Sequence, residues 1–67
     1  MIDFDLIKDV TEEQFQKLGY KSIQLIKMEN ENPKLLIRLD SDEIFDIKTD
    51  EKINEFFKSI LSKIEKL

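Results

Sequence analysis

Acidic residues crowd the segment between Asp40 and Glu55. Two lysines oppose seven acids there, so the segment carries a net charge of −5, whereas the whole chain of 67 residues carries −4. Carboxylates in such numbers can bind a metal ion, exchange protons with a substrate, or attract a basic protein surface. The seven acids are Asp40, Asp42, Glu43, Asp46, Asp50, Glu51 and Glu55.

A calcium site is the first chemistry to consider, because Asp40-Ser41-Asp42 alternates oxygen ligands as the start of an EF-hand loop does. Counting from Asp40, the twelfth residue is Glu51, which fits that loop. The sixth residue must be glycine and is Phe45, and the fifth is the apolar Ile44. The pattern therefore favours a polar turn between strands, and we predict no metal.

The chain also lacks the side chains that most often perform nucleophilic catalysis. The chain has no histidine and no cysteine, so nucleophilic sites of the Ser-His and cysteine types are excluded. A single glycine leaves no glycine-rich loop to hold a phosphate. We predict a protein that is not an enzyme and has no cofactor.

The charge pattern favours a protein partner with a basic surface, and disfavours direct binding to nucleic acid or to an anionic membrane. The alternative is that the acids only keep the protein soluble and stabilise turns and a helix start. The N-terminus has no signal-peptide pattern, and no apolar stretch approaches the roughly 18 residues of a membrane span. We expect one small domain over residues 1–67 in the cytoplasm, which is the host cytoplasm if the protein is viral.

The clearest predicted element is a C-terminal helix that begins at Thr49 or Asp50. Acids at its start and lysines near its end both suit the helix dipole. Its apolar residues recur at the helical period and require a surface to cover. They are Ile53, Phe56, Phe57, Ile60, Leu61 and Ile64.

Three apolar runs before this helix predict an antiparallel meander. They span 22–28, 34–39 and 43–48, and turn-forming residues that include Pro33 separate them. We therefore predict an α+β fold: a short N-terminal helix, a three-stranded antiparallel sheet, and a C-terminal helix packed on one sheet face. That face is expected to carry Ile23, Leu25, Leu35, Ile37, Leu39, Phe45 and Ile47.

The N-terminal helix is predicted over residues 12–18, because Thr11 and Gln14 have the spacing of a capping box and Gly19 suits a helix end. The first ten residues fit two patterns. Phe4, Ile7 and Val10 have helical spacing, whereas Ile2, Phe4 and Leu6 alternate with acids as in an edge strand. We favour the helix.

The second face of the predicted sheet is also partly apolar. One interpretation is a contact surface, through which the protein forms a homodimer rather than staying a monomer. The other is that N-terminal apolar residues cover this face, or that the strand register differs by one residue from the predicted one. We expect this second interpretation because small domains need all the burial they can obtain. The residues of possible self-association are Ile26, Met28, Leu36 and Ile44.

The sequence resembles two known families. The order helix, three antiparallel strands and helix in a very short acidic chain resembles small acidic phage anti-CRISPR-type inhibitor proteins, most nearly at Lys34 to Asp42, the helix entry Asp50-Glu51 and the stripe through Phe56 and Phe57. This resemblance implies a nucleic-acid mimic that blocks the DNA-binding cleft of a CRISPR nuclease. It also implies which acids stand in for phosphates, namely Asp40, Asp42, Glu43, Asp46, Asp50 and Glu51.

The run from Leu18 to Ile23 is similar to the attachment site of acyl carrier proteins, which implies phosphopantetheine on Ser22. In that family the serine lies at the start of a long helix. Pro33 falls within the corresponding stretch here and would interrupt the helix.

Overall fold

The order of elements matches the predicted α+β class. The computed structural model describes all 67 residues, and its three strands form an antiparallel sheet in the order β1-β2-β3. The prediction of helix, meander and helix is therefore confirmed. The elements are a 3-10 turn Phe4–Ile7, α1 Glu12–Lys17, β1 Tyr20–Ile26, β2 Lys34–Leu39, β3 Ile44–Ile47 and α2 Asp50–Glu65.

Helix α2 begins where its sequence signals predict. Thr49 is the N-cap, and its Oγ1 accepts a hydrogen bond from the Lys52 N–H at 3.3 Å. This bond satisfies one of the backbone donors that a helix start leaves free. The helix buries Ile53, Phe57 and Ile60 against the sheet.

The core lies between α2 and one face of the sheet. Leu35 and Ile37 of the central strand are 2% and 0% exposed, and they meet the three buried residues of α2. Burial of each such side chain contributes on the order of 1.5–3 kcal/mol to the free energy of unfolding. The predicted core face is thus confirmed for most of its members, with Ile23, Leu25, Leu39 and Ile47 partly buried around this centre.

Phe45 is the exception to that expectation. It shares the core face, because the register pairs it with Ile37, yet it remains 40% exposed. Strand β3 lies at the edge of the sheet, and the core formed by α2 and β2 does not extend over the Phe45 ring.

Strand β1 starts two residues earlier than predicted, at Tyr20. The register pairs Tyr20 with Leu39 and Ser22 with Arg38, so Lys21 is an extra residue without a cross-strand partner. Such a bulge shifts the alternation of side chains by one position. Tyr20 therefore joins the core face at 7% exposure, where its ring lies 5.5 Å from the ring of Phe56.

The N-terminal twenty residues pack on the same side of the sheet as α2. The capping box is confirmed: the Thr11 N–H donates to Gln14 Oε1 and the Gln14 N–H donates to Thr11 Oγ1. Gly19 ends α1 with a φ of 92°, which suits glycine. Of the first ten residues, only Phe4–Ile7 form a helical turn, of the 3-10 type.

The expectation that the N-terminal residues cover the second sheet face is wrong. Leu6, Ile7, Val10 and Phe15 pack against the core, and Phe4 places its ring 6.3 Å from that of Phe57. Two hydrogen bonds, which we call the polar clamp, also hold the start of this segment to α2. The Asp3 N–H donates to Asn54 Oδ1 at 2.7 Å, and Asn54 Nδ2 donates to the Met1 carbonyl oxygen at 2.9 Å.

Replacement of Asn54 tests this clamp. Asn54→Ala removes both hydrogen bonds, so we expect the free energy of unfolding to fall by about 1–2 kcal/mol. Amide exchange at Asp3 should accelerate, because its N–H loses its acceptor. Ser59→Ala, on the exposed side of the same helix, is the control and should leave both measurements unchanged. Unaltered exchange at Asp3 in Asn54→Ala would contradict the clamp.

Candidate functional site

The sheet face opposite α2 is not covered by the helices or by the 3-10 turn. The helices and the 3-10 turn direct their apolar residues into the core on the other face. We call this uncovered surface the open face. Cross-strand pairing and strand alternation assign to it Ser22, Gln24, Ile26, Lys34, Leu36, Arg38, Ile44 and Asp46.

The register arranges these residues in rows across the three strands. Gln24, Leu36 and Asp46 form the middle row, and Leu36 is therefore at the centre. Ser22, Arg38 and Ile44 form one flanking row. Ile26 and Lys34 form the other row, which Lys48 extends just beyond the end of β3.

The apolar residues of the open face follow a diagonal. Ile26, Leu36 and Ile44 come from successive strands and successive rows, so they make one stripe from corner to corner. None of the three belongs to the core, and Ile44 is 52% exposed. Met28, which we predicted together with them, lies beyond the end of β1. The structure thus brings three of the four predicted residues together.

The charges of the open face differ in sign from those of the whole chain. Lys34 and Arg38 oppose the single acid Asp46, so the face carries +1, and the adjoining Lys48 raises this to +2, while the chain carries −4. The Nζ atoms of Lys34 and Lys48 each lie 4.0 Å from Asp46 Oδ2. Arg38 has no carboxylate partner within 4.0 Å. Sequence order alone does not reveal this face, because its charges come from two strands and a following loop.

The seven predicted acids do not form one patch. Asp40, Asp42 and Glu43 lie in the β2–β3 turn, whereas Asp50 and Glu51 lie at the other end of β3, where α2 begins. A strand of four residues separates these groups by about 13 Å. Asp46 lies between them on the open face, and Glu55 follows Glu51 by about one turn of α2.

Three of these acids have cationic partners within the chain. Lys21 Nζ lies 3.1 Å from Asp42 Oδ1, and the Met1 amine lies 3.3 Å from Asp50 Oδ2. Asp46 has the two lysines described above. The other four, Asp40, Glu43, Glu51 and Glu55, have no cation within 4.0 Å. No group of three acids lies close enough together to hold a metal ion.

The backbone conformation at position 42 also favours an aspartate there. Its φ is 69°, in the left-handed region, and its N–H donates to the Leu39 carbonyl oxygen at 2.9 Å. Aspartate and asparagine tolerate this conformation better than most residues do. The Leu39 N–H closes the turn by donating to the Glu43 carbonyl oxygen.

Substitutions at Asp42 separate its backbone role from its charge. Asp42→Ala should lower the free energy of unfolding by about 1 kcal/mol, because alanine is strained in the left-handed region. Asp42→Asn removes the same charge but keeps a residue suited to this conformation, so stability should change by less than about 0.5 kcal/mol. Urea denaturation measures both values. Equal losses for the two variants would show that the ion pair with Lys21, and not the backbone, dominates.

Ser22 lies within β1 and not at the start of a helix. A shallow depression of about 350 Å³ lies beside it, between α1 and β1, and is lined by Phe15, Gln16 and Gln24 among others. The acyl-carrier resemblance therefore lacks the helix start that its motif requires.

Comparisons with known proteins add no relative. The chain matches no protein-family model, no curated protein and no solved structure. Neither helix combines the length and the apolar composition that crossing a bilayer requires.

Proposed function

We propose that this chain is a non-enzymatic protein-binding module of the cytoplasm, and that it associates with a second copy of itself through the open face. The observation that supports this proposal is the uncovered diagonal of Ile26, Leu36 and Ile44. Ile44 is 52% exposed, and Ile26 and Leu36 are half-buried. Apolar side chains grouped on an uncovered face of a small domain are characteristic of contact sites. Leu36 lies at the centre of the stripe, so a partner would complete its burial.

Leu36→Lys is the most direct test of this proposal. A charge at the centre of the contact should abolish self-association, because a buried, unpaired ammonium group is strongly unfavourable. Sedimentation velocity over a range of protein concentrations measures the change in mass. Leu67→Lys is the matched control, since Leu67 is 64% exposed at the C-terminus and outside the sheet.

Circular dichroism and urea denaturation should show that both variants fold. A wild-type protein that stays monomeric at every concentration would overturn the proposal. So would a dimer that Leu36→Lys leaves intact.

The second candidate is an inhibitor that uses its acids to mimic nucleic acid and to block a basic nucleic-acid-handling protein, such as a CRISPR nuclease. The observation that favours it is the set of four exposed acids without a cation partner, Asp40, Glu43, Glu51 and Glu55. These side chains are free to bind lysines and arginines of a partner. They flank β3 at both ends, so the partner would contact the whole length of that strand.

Charge reversal tests the inhibitor directly. The double variant Glu43→Lys/Glu51→Lys should no longer retain a basic nucleic-acid enzyme from lysate at low salt, and salt near 0.5 M should release that enzyme from the wild type. Glu29→Lys/Glu31→Lys changes the net charge equally, in the loop between β1 and β2, and is the control. Equal loss of retention in both variants would mean that net charge alone is responsible, and full retention by Glu43→Lys/Glu51→Lys would contradict the inhibitor.

A further inference from the structure

We infer that the two copies meet around a two-fold axis that runs along the diagonal stripe, so that Arg38 of each copy faces Asp46 of the other. This inference rests on the proposed self-association and adds its geometry. A two-fold contact is isologous, which means that each residue meets the image of some residue of the same face. The rows of the open face therefore determine which charges meet for each choice of axis.

Axes parallel or perpendicular to the strands bring like charges together. With Leu36 at the centre, an axis along β2 places Arg38 opposite Arg38 and Lys34 opposite Lys34. An axis across the strands places Lys34 opposite Arg38 and Asp46 opposite Asp46. Like charges that face each other across an interface cost several kcal/mol, so both arrangements are disfavoured.

The axis along the stripe avoids every such conflict. Ile26, Leu36 and Ile44 then lie on the axis, and each packs near its own counterpart. Each residue on one side of the stripe then faces, in the other copy, the residue on the opposite side of the stripe. Arg38 therefore faces Asp46 of the other copy, and Lys34 faces Gln24. An axis along the opposite diagonal would place Lys34 against Asp46, but it would also place Lys48 against Lys48.

The two charged groups are available for this contact. Arg38 has no carboxylate within 4.0 Å, and Asp46 is held only by two lysine contacts at 4.0 Å, which is the outer limit of an ion pair. A guanidinium group can form a tighter, bidentate pair with that carboxylate.

Across a diagonal axis the strands of the two sheets cross at a steep angle, toward the roughly 90° of orthogonal sheet packing.

The size of the open face limits the expected affinity of the dimer. Three strands about 4.8 Å apart, with two or three outward residues on each, cover roughly 14 by 20 Å. The footprints of two copies therefore total roughly 560 Å², well below the about 1,200 Å² of standard specific interfaces and in the range of weak, transient contacts. We expect a weak, reversible dimer, so the measurements must extend to high protein concentration.

A charge exchange at Arg38 and Asp46 tests the geometry. In Arg38→Asp, two acids face each other at both symmetry-related contacts, so the dimer dissociation constant should rise at least about tenfold. Asp46→Arg should weaken the dimer similarly. The double variant Arg38→Asp/Asp46→Arg restores opposite charges at both contacts, so it should return the dissociation constant to within about threefold of the wild type.

Lys34→Glu separates the two diagonal axes, because Lys34 faces neutral Gln24 in the proposed dimer. Sedimentation velocity should show its self-association within about threefold of the wild type. A dimer broken by Lys34→Glu but not by Arg38→Asp would assign the opposite diagonal and overturn the inference. A dimer broken by Leu36→Lys but unaffected by the exchanged charges would overturn the inference and leave the proposed function standing. A strictly monomeric wild type would overturn both.

Discussion

A three-stranded sheet has two faces, and this chain has one long helix with which to cover them. Helix α2 buries its stripe on the face of Leu35 and Ile37, and the N-terminal segment joins it there through Asn54. The apolar residues that these two segments bury are thus concentrated on one side of the sheet. The opposite face keeps Leu36 at its centre without a covering element, and the proposed contact follows from that imbalance.

This one-sided packing also changes how the distribution of charged residues is interpreted. The acidic segment dominates the sequence, yet its members lie at the two ends of β3 and three of them have cations within the chain. Asp42 and Asp50 occupy a left-handed turn and the first turn of a helix, where acids have local reasons to occur. The open face carries the opposite charge beside an apolar diagonal that only the strand register makes visible.

Local sequence signals predict much of the fold. The helical period of α2, its cap at Thr49, and the capping box at Thr11 act within a few residues, so the sequence alone identifies them. The sequence does not indicate the bulge at Lys21, because a shift in alternation depends on the partner strand. The exposure of Phe45 depends on how far α2 covers the sheet. The position of the N-terminal segment involves contacts with Asn54, about fifty residues away in sequence. Both features depend on tertiary structure.

Backbone amide chemical shifts, measured by NMR as the protein is concentrated, test the central claim most directly. If the open face is the contact surface, the shifts of Gln24, Leu36, Arg38 and Asp46 should change together with rising concentration. The amides on the outer side of α2, such as Lys58 and Ser62, should stay constant. Spectra independent of concentration, or changes confined to Glu51 and Glu55, would contradict the account and direct attention to the acids.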